Sequence, residues 1–393
     1  RSFRYQWGSD LLASLSFEME TLILGWYVLV ETRSVVMLGI FGSLQYLGSV
    51  VAPFTGVIGD RLGSRTMLLA IRAACAALAV LIMALAMMGT LTPMLVFATA
   101  LLSGLLRPTE YMMRMALVGE IISADQRLGA MGLSRINIDV ARIAGALTGA
   151  GLFAALGLGP SYAFVSAFYV LSVALTLGIA RSTAVPRRAP KPRHAGWQEL
   201  KAGMAQVWNT PSVLAIMWLA FLVNLTAFPV TVGLLPYVAK DVYGVDEIGL
   251  GHITSAFSFG GLAGAILMSF WGGMSNANRA MMVSTVLWYG GLAVFAVTDS
   301  KVSGMVVLFA VGLFQCIAML TSLTALLNTT AEQYRARIMG VRKLAVYGLP
   351  LGLVASGYLI NLFGFVSTIL VYSCTGLVTT LAIGYRWRHA LWH

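Results

Sequence analysis

Long apolar runs, separated by short polar connections, make up most of the sequence. A helix needs about 20 apolar residues to cross the hydrocarbon of a bilayer. Runs of about this length lie near residues 8–30, 35–58, 66–89, 93–119, 128–156, 160–180, 211–236, 248–271, 281–298, 303–327, 338–362 and 366–386. They are too long and too continuously apolar for the ~10-residue alternating strands of a membrane barrel. The pattern therefore predicts an all-α membrane protein with twelve transmembrane helices.

The longest polar interval divides the runs into two sets of six. Prolines and charges fill residues 181–194, which predicts a linker, and residues 197–208 have the pattern of an amphipathic helix at the membrane interface. We expect a six-helix bundle at residues 1–181, a cytoplasmic linker with its amphipathic helix at 182–210, and a second bundle at 211–393. Pro229 and Pro236 predict a kink in the seventh run. Two pseudo-symmetric halves are typical of transporters.

Composition and charge narrow the class of protein further. Apolar residues make up 59% of the chain and charged residues only 10%, which excludes a soluble globular domain. If the N-terminus is cytoplasmic, sixteen basic residues of the connections and ends lie inside, and only Arg33, Lys240 and Lys301 lie outside. This bias predicts that both termini are cytoplasmic. It explains the net charge of +11 without nucleic-acid binding.

The sequence contains no recognisable nucleotide-binding loop, catalytic triad or set of metal ligands. We therefore expect no enzymatic activity, no cofactor and no metal. The expected partners are a small-molecule substrate, protons and the lipid bilayer, and the chain is expected to act as a monomer.

A polar segment between the second and third runs carries a recognisable spacing. Its fixed positions are Gly56, Asp60, Arg61, Gly63 and Arg65. Glycines permit a tight turn, and the charged residues can hold helix ends together. The segment resembles the signature loop G-x-x-x-D-R-x-G-x-R of the major facilitator superfamily. The resemblance implies a gate at the cytoplasmic side.

Four further segments resemble the drug:proton antiporter-3 family, which includes enterobactin and macrolide exporters. They are residues 17–26, 114–120, 141–151 and 334–340. The third is similar to the antiporter motif of span five and contains Arg142, Gly145 and Gly149, which the resemblance assigns to helix packing. Ala146 stands there in place of the usual Pro.

Ionisable residues inside the apolar runs are concentrated in the first half. Each such residue costs about 2.5–3.5 kcal/mol at the bilayer centre on insertion scales, so it is a functional candidate. Spacings of three, four and seven residues place the span-four and span-five groups each on one helix face. The groups are Glu18 and Glu20 in span one, Arg107, Glu110 and Arg114 in span four, and Arg135, Asp139 and Arg142 in span five.

We assign proton coupling to Glu18, Glu20, Glu110 or Asp139. Burial favours the neutral carboxyl and a nearby Arg favours the ionised one, so a conformational change that exchanges these environments binds and releases a proton. Glu18 continues a stripe of small and polar residues and is expected to face the cavity. Glu20 points about 200° away on the helix, toward span four or five.

Other polar residues are candidates for the substrate pathway. Arg107 is the candidate contact for an anionic substrate group, and the remaining predicted cavity residues are Arg114, Gln45, Asn224 and Gln315. The alternative is a structural role: the arginines of spans four and five can pin helices through ion pairs, and the amides can form interhelical hydrogen bonds. In the second half, Arg342 and Lys343 are the first comparable charges.

Together these observations predict a proton-coupled exporter of an organic amphiphile, either a siderophore or a drug-like compound. Proton-coupled uptake of a siderophore or other nutrient is the alternative within transport, because the altered span-five motif permits it. A lipid-handling protein or a non-transporting receptor is the alternative from another class.

Overall fold

A computed structural model of the chain describes residues 2–49, 63–122, 126–179, 195–270 and 276–391. All regular secondary structure in these ranges is helical, which confirms the all-α class. The first half contains α1 (Ser2–Thr32), α2 (Val35–Leu44), α3 (Ser64–Met87), α4 (Pro93–Ile121), α5 (Arg127–Leu156) and α6 (Leu158–Leu177).

The second half begins with the linker helix. The long helices of this half are α7 (Ala195–Asn209), α8 (Pro211–Thr226), α9 (Glu247–Phe270), α10 (Ala277–Ala296), α11 (Lys301–Thr329), α12 (Glu332–Ala345), α13 (Gly348–Phe363) and α14 (Phe365–Arg386). Helix α7 confirms the predicted helix at 197–208, and it meets α8 at an angle of 110°.

Within the described ranges, nine helical segments are long and apolar enough to cross a membrane, or ten if the bent pair of α7 and α8 counts as one span. Helices α12 and α13 together supply one of the nine, Arg337–Phe363. The second predicted run is described only in part, because residues 50–62 lie outside the described ranges. The set is consistent with the predicted twelve-helix membrane protein.

The seventh predicted run is broken, as its prolines indicate. Helix α8 ends at Thr226, and short helices at Phe228–Val232 and Leu235–Tyr237 follow, each with a proline in its first turn. A π-helical turn, Val238–Val242, completes the segment. Proline is tolerated in the first turn of a helix but cannot donate the hydrogen bond that the interior requires.

Two compact units make up the chain. The first comprises Arg1–Arg33, Leu44–Pro190 and Val245–Ser255, and the second comprises Ser34–Ser43, Lys191–Gly244 and Ala256–His393. The start of α2 thus belongs with the later helices, and the start of α9 with the earlier ones. The domain boundaries at 181 and 211 stay a prediction.

Close helix crossings hold the first unit together. Helix α1 packs against α5 and α6, and α3 packs against α6. A Cβ atom added at Gly145 would lie 2.7 Å from the Cβ of Glu18, and one at Gly149 would lie 3.0 Å from the Cα of Met19. Small residues at such positions let membrane helices approach closely, so α5 can lie directly against α1.

Aromatic side chains fill the centre of the second unit, where α10 packs against α11 and α14. Trp288 and Tyr289 are stacked and fully buried, and the Trp288 ring meets Phe228 edge to face at 5.2 Å. The hydroxyl groups of Tyr289 and Thr226 lie 2.7 Å apart. The second unit is therefore anchored by rings and hydroxyl groups.

Candidate functional site

A buried network of four charges lies inside the first unit. Asp10 of α1 forms ion pairs with Arg72 of α3 and with Arg114 of α4. The Nε atom of Arg72 lies 3.3 Å from Glu110 Oε1, and the Nε atom of Arg114 lies 2.8 Å from Asp10 Oδ2. The side chains of Asp10 and Arg72 are each only 1% exposed. Two cations and two carboxylates thus compensate one another where water is excluded.

Hydroxyl groups add hydrogen bonds to both arginines, although the buried Nη2 atom of Arg114 has no hydrogen-bond partner among the described residues. Arg72 donates through Nη1 to Ser9 and to Thr176, the latter at 2.9 Å, and Arg114 donates to the Ser14 hydroxyl at 3.0 Å. The network therefore joins α1, α3, α4 and α6. Arg114 therefore contacts other protein groups, which fits the structural role considered above as the alternative to substrate contact.

Sequence reasoning missed Asp10 and Arg72, although both obey the rule that singled out the other charges. Each is an ionisable residue in an apolar helix. The stripe of Ser14 and Glu18 along α1 reaches Asp10 when it is extended back by one turn. The sequence pattern could therefore have identified Asp10, whereas Arg72 is the only charged residue of its apolar run.

Glu20 occupies a second polar position, on the opposite side of α1 from Glu18. The Tyr169 hydroxyl of α6 donates to Glu20 Oε2 at 2.9 Å. Arg107 of α4 interacts electrostatically with Glu20, and its guanidinium lies over the Phe17 ring. Span four is therefore near Glu20, as expected, but the hydrogen bond comes from span six rather than span five. The reason is that α6 packs along α1 on that side.

Glu18 forms the longest of the ion pairs between described residues of the first unit. Its Oε1 atom lies 3.7 Å from Nε of Arg142 on α5. The two side chains are 19% and 39% exposed, respectively. Asp139, which is buried, interacts electrostatically with the same Arg142. Glu18 and Arg142 are thus partly exposed, whereas Asp10 and Arg72 are fully buried. The side chain of Arg135 lies outside the described part of the chain.

The predicted polar residues of the pathway divide between the two units. In the first unit, Gln45 is almost buried and accepts a hydrogen bond from Thr21 at 3.4 Å. In the second, Asn224 donates to the Ala220 carbonyl of its own helix at 2.8 Å. Gln315 on α11 is partly buried, and its Oε1 atom accepts no hydrogen bond from the described residues.

The signature segment is described only at its end. Gly56, Asp60 and Arg61 lie outside the described residues. Gly63 has a φ angle of +83°, which favours glycine, and it immediately precedes α3. Arg65 donates to the carbonyl of Leu177 at 2.8 Å and so ties the start of α3 to the end of α6.

Comparison with known proteins identifies the family. The sequence model of the Major Facilitator Superfamily matches residues 7–350. The chain therefore belongs to this superfamily, and it is a transporter rather than an enzyme. No curated protein matches the sequence.

Solved transporters share the fold at low sequence identity. The POT family transporter PepTSo superposes with a TM-score of 0.77 at 13% identity, over 99% of this chain and 98% of its own. A variant of the nucleoside transporter NupG gives 0.75 at 15% identity, over 98% and 99%. The human organic anion transporter MFSD10 gives 0.68 at 13% identity, over 97% and 98%.

Proposed function

We propose that this transporter is proton-coupled and exports an organic amphiphile, a siderophore or drug-like compound, by alternating access. The observation that carries the proposal is the set of carboxylates inside the helices of the first unit, each facing an arginine or a tyrosine. Such groups are costly in a membrane, and secondary transport needs carboxylates that exchange a proton. The resemblance to the drug:proton antiporter-3 family supports export in a bacterial inner membrane with both termini cytoplasmic.

The contacts rank the candidate coupling residues. Glu18 is our first candidate, because its partner is 3.7 Å away and both side chains are partly exposed. Glu20 is the second, because its hydrogen bond comes from a tyrosine hydroxyl rather than from a cation. Glu110, 16% exposed, and Asp139 follow. Asp10 is held by two arginines, so we assign it to positioning α1 against α3 and α4.

We assign substrate contact to Arg107 and retain Gln45, Asn224 and Gln315 as proposed pathway residues. Arg114 is committed to Asp10 and Ser14, so its proposed role is to hold α4 rather than to meet substrate. The signature segment from Gly56 to Arg65 is proposed as the cytoplasmic gate. Arg142, Gly145 and Gly149 are proposed to set the packing of α5 on α1.

The test compares Glu18→Gln with Glu31→Gln in proteoliposomes. Glu31 lies on the same helix and is exposed, so it controls for the loss of one carboxylate. A counterflow screen with siderophores and drugs identifies a transported compound. We expect Glu18→Gln to lose accumulation driven by an imposed pH gradient and the pH dependence of transport, while counterflow continues, because exchange needs no net proton movement.

The coupling assignment is wrong if Glu18→Gln, Glu20→Gln and Glu110→Gln, singly and combined, keep proton-driven accumulation and its pH dependence. Uptake instead of export is the second candidate direction, favoured by Ala146 in place of the family's proline. Uptake would be established if the compound accumulates on the side toward which protons flow, rather than on the side from which they come.

A further inference from the structure

A cavity lies within the second unit, whereas the charges described so far belong to the first. Its volume is about 460 Å³, and its wall includes Asn224, Phe228, Met319, Met339, Arg342 and Lys343. This size falls within the roughly 300–1,000 Å³ of small-molecule pockets. The wall combines two cations and one amide with apolar and sulfur-containing side chains, so it offers both polar groups and apolar surface.

Arg342 differs from the arginines of the first unit. Arg72, Arg114 and Arg142 each face a carboxylate. Arg342 is partly buried and forms no ion pair or side-chain hydrogen bond with any residue that the structure describes. Buried or partly buried charges are normally paired, so this cation lacks the partner that such a position calls for.

The sequence places few carboxylates on the helices that line this cavity. Residues 200–240, 301–331 and 333–393 contain neither Asp nor Glu, and these segments include α8, α11, most of α12 and α13. Glu332 on α12 lies ten residues before Arg342, about 15 Å along a helix. The helices around the cavity thus supply cations without anions.

A purely structural role is the competing explanation. Arg342 and Lys343 lie in the last turn of α12, where a cation stabilises the negative end of the helix dipole. That role requires only a position near the helix end. It accounts neither for the cavity nor for the apolar side chains that line it.

We propose that this cavity binds an anionic group carried on an apolar body, such as the carboxylate of an amphiphile. Arg342 binds the anion through a charge-assisted hydrogen bond. Asn224 has a second amide hydrogen beyond the one it donates to Ala220. Phe228 and the two methionines hold the apolar body, since methionine adapts to varied shapes. The inference rests on the proposed transport function and narrows its substrates to amphiphilic anions.

The test is equilibrium dialysis of the full chain in phosphatidylcholine nanodiscs. The probes are radiolabelled naphthalene-2-carboxylate and the naphthylmethylammonium ion, which share an apolar body and differ in charge. We expect the wild type to prefer the carboxylate. Arg342→Gln should weaken carboxylate binding by about 10- to 100-fold, the range for a hydrogen bond to a charged group. Arg337→Gln is the matched control, because Arg337 is exposed on the same helix and is not among the cavity residues.

Several results would overturn the site. They are a wild type that binds neither probe, equal binding of both probes, and an Arg342→Gln variant that binds the carboxylate like the wild type. If Arg342→Gln does not fold, Arg342→Lys keeps the charge at the helix end but removes the planar guanidinium. We expect it to fold and to bind the carboxylate more weakly than the wild type, and unchanged binding would contradict the proposal.

A lipid headgroup offers the same chemistry as a soluble anion, so the dialysis is repeated in phosphatidylglycerol nanodiscs. An anionic lipid is the occupant if the wild type binds the carboxylate more weakly in phosphatidylglycerol than in phosphatidylcholine, while Arg342→Gln binds it equally in both. Unchanged binding identifies a soluble amphiphile. Proton-driven transport without carboxylate binding would refute the site alone, and carboxylate binding without any transport would refute the proposed function alone.

Discussion

Arg72 lies between two carboxylates in the interior of the first unit, and its removal would take away the ion-pair partner of Glu110 and leave Asp10 with Arg114 alone. Breaking a buried ion pair from one side destabilises a protein by about 3–5 kcal/mol. We therefore expect Arg72→Gln to lower the thermal unfolding temperature of the purified protein sharply. The measurement is unfolding followed by tryptophan fluorescence in detergent.

The control for this residue is Arg4→Gln, because Arg4 lies at the start of α1 and is exposed. Combining Arg72→Gln with Glu110→Gln removes the carboxylate that has lost its ion-pair partner and should recover part of the lost stability. Equal unfolding temperatures for Arg72→Gln and Arg4→Gln would show that the network contributes little to the fold.

The buried charges also show which features of the site the sequence could not reveal. Apolar context alone marks Glu18, Glu20 and Glu110 as unusual, and it marks Asp10 equally well. Their partners depend on which helices touch. Glu20 and Tyr169 are separated by 149 positions, and no local pattern relates them. Candidate charges were therefore predictable, whereas their pairing required the packed structure.

At the scale of elements, the crossing of α1 and α5 depends on the absence of a side chain at Gly145. An added Cβ would meet the Glu18 Cβ at 2.7 Å and the Leu15 carbonyl oxygen at 3.2 Å. We expect Gly145→Ala to force the helices apart and to destabilise the protein by about 1–3 kcal/mol, as overpacking does. The displaced Glu18 should also couple protons less efficiently.

Gly151→Ala is the matched control on the same helix, because no described atom lies within 4 Å of its added Cβ. It should leave thermal stability and proton-driven accumulation unchanged. If Gly145→Ala behaves like Gly151→Ala in both measurements, the close crossing has no role in stability or coupling.

Element positions followed from the sequence where local chemistry determines them. The break after Thr226 coincides with the prolines of the seventh run, and α7 extends only slightly beyond the predicted 197–208. The sequence could not predict which of the two units contains the start of α2. Its start belongs to the second unit, where a Cβ on Gly357 would lie 2.8 Å from the Cα of Val36, a tertiary contact that hydropathy does not record.

At the scale of the whole molecule, the arrangement of spans fixes which connections share a side of the membrane. Thr90 lies between α3 and α4, and Gln126 immediately precedes α5. One span separates them, so they should face opposite sides. The positive-inside bias places Thr90 outside and Gln126 inside.

The measurement uses Thr90→Cys and Gln126→Cys in a chain whose three native cysteines are replaced. Of these, Cys75 is buried and Cys374 is exposed. A membrane-impermeant maleimide applied to intact cells should label Thr90→Cys alone. Labelling of both, or of Gln126→Cys alone, would contradict the predicted topology.

The ion pairs of Asp10 with Arg72 and Arg114 have a consequence for biogenesis. A span that partitions into lipid by itself carries its charge unneutralised, at about 2.5–3.5 kcal/mol for a central Asp or Arg. Asp10 emerges from the ribosome some sixty residues before Arg72 and about a hundred before Arg114. We expect the first span to remain at the translocon until the third and fourth have been synthesised, so that Asp10 enters lipid already paired with its two arginines.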